Sequence, residues 1–181
     1  KLDYFQQLSQ RCFVVVEYGI ESVFNRTLER VNRGHDVETS RRAVDETASR
    51  GIHVGGHLIV GLPGETREEC LETAELISTW PLSSVKFHQL QLIKGTAMAQ
   101  EYEVNPSDFL EFSLESYLQL MMEMLERLNP DIVVERIAGE VNPGMGLRKG
   151  GGLRYDAVLR AFEDLLEKQN SWQGKYHRPE T

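Results

Sequence analysis

The stretch that decides the fold is residues 14–21, which read Val-Val-Val-Glu-Tyr-Gly-Ile-Glu. Because β-branched residues at this density favour extended backbone, we predict a buried strand over residues 12–18. The strand leads through Gly19, which we expect to turn the chain, to a carboxylate at Glu21. In α/β proteins ligand-binding groups follow the carboxyl ends of strands, so this stretch predicts a binding edge as well as a strand.

A second stretch, residues 57–65, repeats this pattern with the sequence His-Leu-Ile-Val-Gly-Leu-Pro-Gly-Glu. Along the whole chain, apolar periodicity predicts strands over residues 12–18, 53–61, 84–92 and 132–137. It predicts helices over residues 1–10, 25–32, 37–50, 67–80, 113–128 and 153–169. Alternating strands and helices indicate an α/β fold with a parallel sheet and outer helices. We interpret residues 97–112 as a loop with a short helix, and the glycine-rich residues 139–152 as a mobile loop over a cleft.

The composition limits the classes of function. The chain has 181 residues, 40% hydrophobic and 27% charged, with a formal net charge of −8 at pH 7. These values predict one globular domain and argue against non-specific binding to nucleic acid or to an anionic membrane. No apolar run in the sequence reaches the roughly 20 residues of a membrane span. Cys12 and Cys70 lack metal-ligand spacing, so we predict buried, reduced thiols in a cytoplasmic protein.

Three polar residues near the first two strands are candidate ligand groups. Glu21 can accept hydrogen bonds from an amine or a hydroxyl, and Arg33 can bind a carboxylate or a phosphate with two nitrogens. The alternatives are a surface ion pair, or a helix N-cap made by Glu21. His57 is expected to face a cleft, and its alternative is a core histidine bonded to backbone.

Further candidates follow the second and third strands. His88 and Lys94 lie near the end of the third strand and can act as acid, base or anion ligand, although solvated loop charges are an equally good interpretation. The turn at residues 61–66 precedes a helix whose terminal amides can bind an anion. This turn matches neither a P-loop nor the glycine pattern of a dinucleotide site.

Several motifs together resemble one enzyme family. Residues 17–21, the Asn-Arg-Gly-His motif within residues 28–35, and residues 57–66 resemble the middle of a radical SAM enzyme. The resemblance is to oxygen-independent coproporphyrinogen III oxidase and to the elongator catalytic subunit. Residues 94–102 and 172–175 also resemble the YhcC-type subfamily of bacterial radical SAM proteins, so the likeness extends over nearly the whole chain.

The resemblance implies a fold and a chemistry. The fold is the C-terminal portion of a partial (βα)6 TIM-like barrel. Residues 1–96 would form the second half of the barrel, and residues 97–181 an αβα extension packed on it within a single structural domain. Such barrels bind a 4Fe-4S cluster and S-adenosylmethionine (SAM) at the carboxyl ends of the strands. Reductive cleavage of SAM then gives a 5′-deoxyadenosyl radical that abstracts a hydrogen atom from the substrate.

The resemblance also assigns SAM contacts residue by residue. Glu21 stands where a polar residue contacts SAM, and Arg33 where an arginine pairs with the SAM carboxylate. His57 stands where an aspartate often contacts the ribose, and the backbone from Ile59 to Leu62 would lie near the adenine. His88 and Lys94 remain candidates for the substrate side.

One departure from the family concerns the cluster. The family's Cys-x-x-x-Cys-x-x-Cys loop is not in this sequence, and the first strand here aligns with the family's fourth strand. We therefore expect the first three strands and the cluster loop to precede Lys1. We expect this chain alone to bind neither cluster nor SAM and to be inactive.

Expectations about partners follow from this alignment. A half barrel exposes a strand edge, so we expect a homodimer through residues 14–17. The substrate is unidentified: a tRNA base, a tetrapyrrole-like molecule or a small metabolite, with tRNA unsupported by the net charge. The alternative function is a non-catalytic α/β binding module on the same scaffold.

Overall fold

Four parallel strands form the centre of the molecule. The computed structural model describes residues 1–139 and 154–178. The strands are β1 (Val15–Glu21), β2 (His53–Val60), β3 (Ser84–Gln89) and β4 (Val133–Arg136), and each is paired with the next along the chain. The predicted α/β fold with a parallel sheet is confirmed. Because all strands run the same way, their carboxyl ends share one edge of the sheet, here called the carboxyl edge.

The helices lie close to the predicted ranges, with ends shorter by one to a few residues. They are α1 (Leu2–Ser9), α2 (Asn25–Arg30), α3 (Val37–Ala48), α4 (Arg67–Ile77), α5 (Ala97–Val104), α6 (Leu114–Arg127) and α7 (Tyr155–Lys168). A short 3-10 helix at Pro106–Asp108 follows α5. Side-chain caps precede four of these helices. Asp36 accepts from the Thr39 amide ahead of α3, and Thr66 and Glu69 form a capping box at α4. Thr96 and Ser113 cap α5 and α6 in the same way.

Side chains of alternate strand residues build one hydrophobic core. Val54, Leu58 and Val60 on β2 and Val85 and Phe87 on β3 are buried in the same cluster as apolar residues of α3, α4, α6 and α7. The intervening strand residues point to the opposite side of the sheet, here called the open face. The fold therefore covers one face of the sheet with helices and leaves the other partly exposed.

The first strand differs from its prediction in position and in burial. It begins at Val15 rather than at residue 12, and Phe13 is 77% exposed and Val15 38% exposed. Phe13 precedes the strand, and Val15 lies two residues before Glu17, on the open face. Ile20, on the helix-covered side of the same edge strand, is fully buried. The predicted burial of Cys12 is wrong, because this residue is exposed before the strand, whereas Cys70 in α4 is buried as predicted.

Residues near the carboxyl end of the chain pack against the end of α6 and the loop that leads to β4. Gln173 Nε2 donates to the carbonyl oxygens of Asn129 and Ile132 at 2.8 and 2.7 Å, and the Gly174 amide donates to Leu125 O. These contacts give residues 172–175 a structural role beside α6 and β4. The loop predicted over residues 139–152 lies outside the described residues except for Gly139. Within the described part of the chain, no helix combines the length and apolar character needed to span a membrane.

Candidate functional site

Glu21 and Arg33 meet at the carboxyl edge. Glu21 ends β1, and Arg33 follows α2 in the turn before α3. Arg33 Nη2 donates to the carbonyl oxygen of Gly19 at 2.7 Å and lies 3.6 Å from Glu21 Oε1. Glu21 is not a helix cap, since the N-cap position of α2 is Phe24. The structure thus brings together two residues that are 12 apart in sequence and leaves the pair partly open to solvent.

Gly19 serves the pair by having no side chain. A Cβ atom at Gly19 would lie 2.5 Å from Glu21 Oε1 and 2.6 Å from Arg33 Nη2. The sequence-based expectation that Gly19 turns the chain is wrong, because the residue with positive φ is Glu21 at 66°. Gly19 instead allows both charged groups to approach the backbone of β1.

The turn at Glu21 is unusually tight. The Ser22 amide donates to Ile20 O at 2.9 Å, which closes a three-residue turn around Glu21. This is the geometry of a γ-turn with positive φ, a strained conformation for a residue other than glycine. The pairing of β1 with β2 also shifts by one residue between Gly19 and Glu21. Such irregularities re-aim a side chain, in this case that of Glu21.

A chain of charged side chains crosses the open face. His57 Nε2 on β2 donates to Glu17 Oε2 on β1 at 2.9 Å, Glu17 Oε1 accepts from Lys86 on β3, and Lys86 Nζ lies 3.4 Å from Glu135 Oε2 on β4. Hydrogen bonds from Lys86 and His57 lower the pKa of Glu17, and the bonds to Glu17 and Glu135 raise the pKa of Lys86. These four residues are called the open-face chain.

The open-face chain decides between the two interpretations of His57 and includes residues that the sequence had not suggested. The interpretation of His57 as a core histidine bonded to backbone is wrong, because its ring binds a carboxylate on a partly exposed face. Glu17, Lys86 and Glu135 were missed. The signal that could have found two of them is the period-two alternation of polar and apolar residues in β1 and β3.

The two predicted substrate-side residues separate. His88 lies on the open face with its ring centroid 5.9 Å from that of His57. Burial, and then the neighbouring charges of His57, Arg136 and Lys86, lower the pKa of His88, which favours the neutral ring. Lys94, in contrast, is exposed in the turn before α5 and does not join the open face.

The loop between β2 and α4 completes the carboxyl edge. Ile59 pairs with His88 near the end of β2, and Leu62 is buried in the loop that follows. The anion site considered at the start of α4 is disfavoured, because Glu68 and Glu69 lie in the first turn of the helix. The contacts of Ile59 and Leu62 with adenine stay a prediction.

A buried carboxyl in the same loop was also missed by the sequence. Glu65 is 6% exposed, and its Oε1 accepts a hydrogen bond of 2.5 Å from the Ser22 hydroxyl, which directly follows Glu21. Burial raises the pKa of Glu65, although the bond from Ser22 acts in the opposite direction. This bond joins the two loops that form the candidate site.

Two family models match consecutive parts of this chain. The model of the radical SAM superfamily matches residues 1–77, and the model of the Radical_SAM C-terminal domain matches residues 82–149. The chain belongs to the radical SAM superfamily.

Two curated relatives are similar to this chain, which covers only part of the length of each. YtqA of Bacillus subtilis strain 168, described as uncharacterized, is 34% identical over 175 residues, which are 97% of this chain and 54% of YtqA. YhcC of Escherichia coli K12 is 37% identical over 125 residues, which are 69% of this chain and 40% of YhcC. The chain therefore spans about half the length of the curated relatives it matches.

A solved structure shares the fold. The Elp3 protein of the archaeon Methanocaldococcus infernus superposes with a TM-score of 0.78 over 94% of this chain and 40% of its own. Its sequence identity is 20%, so this likeness bears on the fold and not on the chemistry. It supports the assignment of the four strands to a radical SAM barrel.

The site residues fit SAM, the ligand that the radical SAM family implies. Within the described residues, Arg33 Nε is buried and has no hydrogen-bond partner, so this guanidinium has a donor left for a ligand carboxylate. The Glu21 carboxylate beside it is an acceptor for an ammonium group. The amino-acid end of SAM carries both of these groups.

The described residues do not fit a 4Fe-4S cluster. They contain no group of three or more His, Cys, Asp or Glu side chains placed to hold a metal ion. Cys12 lies before β1, and Cys70 is enclosed in α4, where burial raises the pKa of its thiol to about 12. A thiol held in its neutral form is a poor cluster ligand.

Proposed function

We propose that this chain supplies the SAM-binding half of the barrel of a radical SAM enzyme, in which Glu21 and Arg33 hold the amino-acid end of SAM. The observation that carries the proposal is the packing of both charged groups over Gly19 at the carboxyl edge. A surface ion pair alone would not need a glycine beneath it. The family membership and the free donor at Arg33 Nε support the same assignment.

Other residues of the edge would bind the rest of SAM. Glu17 holds the Nε2 side of the His57 ring, so the other ring nitrogen can hydrogen-bond a ribose hydroxyl. The backbone from Ile59 to Leu62 would then lie along the adenine. His88 faces the open side of the sheet as a neutral ring, which suits a contact with the substrate rather than with SAM.

The proposed enzyme is longer than this chain and cytoplasmic. In such an enzyme, a 4Fe-4S cluster together with bound SAM would supply the radical chemistry of the family, and the substrate is unidentified. The cluster ligands would come from residues outside this sequence, and we expect the chain alone to bind no cluster. The lengths of the curated relatives support this arrangement.

Replacing Arg33 by alanine tests the proposal. In the cluster-reconstituted longer protein, we expect Arg33→Ala to weaken SAM binding by about 1.5–3 kcal/mol, the scale of a lost hydrogen bond to a charged group. This corresponds to a rise in Kd of roughly 10- to 150-fold, measurable by isothermal titration calorimetry.

Arg41→Ala is the matched control. Arg41 is as exposed as Arg33 and forms an ion pair with Asp45 within α3, away from the carboxyl edge. It should leave the Kd for SAM unchanged. If both variants bind SAM as the unmodified protein does, Arg33 does not contact SAM. That result would favour the interpretation of the chain as a non-catalytic binding module.

A further inference from the structure

The conformation of Glu21 needs an explanation beyond its own contacts. Its φ of 66° and the bond from the Ser22 amide to Ile20 O define a strained turn. Backbone strain of this kind persists only where the surrounding structure enforces it. The Arg33 guanidinium is 3.6 Å from the Glu21 carboxylate, which is too far for a strong hydrogen bond to enforce the turn.

The neighbouring residue provides the missing constraint. Ser22 is 2% exposed, its hydroxyl oxygen accepts from the Phe24 amide at 3.1 Å, and its hydroxyl proton goes to Glu65 Oε1 at 2.5 Å. Glu65 belongs to the loop after β2, where its own amide donates to Leu62 O. A side chain from one loop therefore fixes the residue that follows Glu21 in another loop, 43 positions away in sequence.

An ordinary core position would not carry a carboxyl here. Burying an ionisable group costs free energy that an apolar side chain of similar size avoids. The hydrogen bond from Ser22 is a contact that an apolar residue could not make, and it lies beside the candidate SAM site. A buried polar bond at this place sets the geometry of the two loops at the expense of stability.

We propose that Glu65, acting through the Ser22 hydroxyl, is a positioning residue that holds the turn at Glu21 and keeps the Glu21 carboxylate over Gly19 beside Arg33. The consequence for SAM rests on the proposed function, whereas the consequence for the backbone does not. The two can therefore be tested separately.

The first experiment measures amide hydrogen exchange of the 181-residue chain at residues 20–24. Ser22→Ala and Glu65→Met remove the bond, and Glu65→Gln keeps an oxygen that can accept from Ser22. Thr47→Val is the control, because it removes the part-buried 2.8 Å bond between Thr47 and Tyr18, and the Thr47 bond to Ala43 O, on the helix-covered face. We expect exchange of the Ser22 amide to accelerate about 10-fold or more in the first two variants and to be restored in Glu65→Gln.

Equal exchange rates of the amide at position 22 in Ser22→Ala and Thr47→Val would overturn the proposal. Both substitutions would then accelerate exchange only through a general loss of stability. If Glu65→Met does not fold, Ser22→Ala, which removes a single oxygen atom, still decides the question. Restoration by Glu65→Gln is the result that a purely charge-based role of Glu65 would not give.

The second experiment measures the Kd for SAM in the longer, cluster-reconstituted protein. Removing residues that orient a ligand group typically costs roughly 10- to 100-fold in affinity, so Ser22→Ala and Glu65→Met should fall in that range. Glu65→Gln and Thr47→Val should stay within about 3-fold of the unmodified protein. Unchanged affinity in Ser22→Ala, with SAM bound normally by the unmodified protein, would overturn the positioning role. If the unmodified protein does not bind SAM, the proposed function fails, and the exchange experiment still tests the turn.

Discussion

Two consecutive residues of β3 show how differently the two faces of the sheet are built. Phe87 is 1% exposed and lies in the cluster formed with the helices. Lys86, its neighbour, points to the open face and forms ion pairs with Glu17 on β1 and Glu135 on β4. Both residues stand in the same strand with the same pairing to β2, so only the face separates them.

The comparison assigns different tasks to the two faces. Apolar area removed from water on the helix-covered face supplies most of the stability of the fold. The open face retains charged groups that remain partly hydrated, and such groups add little to stability. This sheet can therefore carry charged residues on its open face while the helix-covered face retains an apolar core.

The largest effect should come from the helix-covered face. Phe87→Ala removes a fully buried aromatic ring, for which we expect a loss of about 3–5 kcal/mol in the free energy of unfolding. Urea denaturation followed by circular dichroism measures this loss. A loss below about 1 kcal/mol would mean that the ring is not part of a tightly packed core.

The same comparison explains what the sequence could predict. The bounds of β2, the caps of α3 and α4 and the parallel order follow from local patterns, because hydrophobic periodicity and capping residues act over a few positions. The carboxyl edge was located for the same reason, since Glu21 directly follows an apolar run. Local signals of this kind were sufficient for the fold and for one part of the site.

Contacts between strands could not be predicted in this way. The open-face chain depends on the register of neighbouring strands, which brings Glu17 to His57 over 40 positions and to Lys86 over 69. The bond between Ser22 and Glu65 likewise depends on how two loops meet. Phe13 and Val15 were expected to be buried because an apolar run reveals neither where the strand begins nor which of its residues face the helices.

The edge strand gives the second prediction. Because β1 has an unpaired side and exposes Val15, we expect the chain to self-associate through this strand at high concentration. Val15→Lys should weaken the association by about 10-fold or more, or about 1.4 kcal/mol, because charged side chains on an edge oppose strand pairing. Sedimentation equilibrium measures this, with Leu76→Lys, at an exposed position of α4, as the control. A monomer at high concentration, before any substitution, would contradict the prediction.

Glu65 gives a smaller, pH-dependent effect. Its pKa is raised in the folded state, so the folded form favours the protonated carboxyl. The contribution of Glu65 to stability should therefore be fully present below the pKa of this carboxyl in the unfolded chain, about 4.3. It should be lost as the pH rises through the pKa of Glu65 in the folded state. Glu65→Gln, which cannot ionise, should be within about 1 kcal/mol of the unmodified chain at pH 4 and should gain relative to it toward pH 7. A constant difference between pH 4 and pH 7 in urea denaturation would contradict the assignment.

The smallest change in stability should come from substituting Lys86, which is next to Phe87, the residue with the largest expected effect. Lys86→Met keeps the length of the side chain and removes its charge, and we expect the free energy of unfolding to change by less than about 1 kcal/mol because the ion pairs are partly exposed.

The clearer effect of Lys86→Met is on a neighbouring group: without Lys86, the pKa of Glu17 should rise toward its ordinary value, although His57 still lowers it. A carboxyl whose pKa is lowered by folding contributes stability above its unfolded pKa and loses it as the pH falls through the folded pKa, so Lys86→Met should flatten the acid side of the stability curve. Carbon-13 NMR titration of the Glu17 carboxyl measures the shift, with the exposed Lys168→Met in α7 as control. If Lys86→Met cost as much stability as Phe87→Ala, the open face would be part of the core, and the division of tasks between the two faces would be wrong.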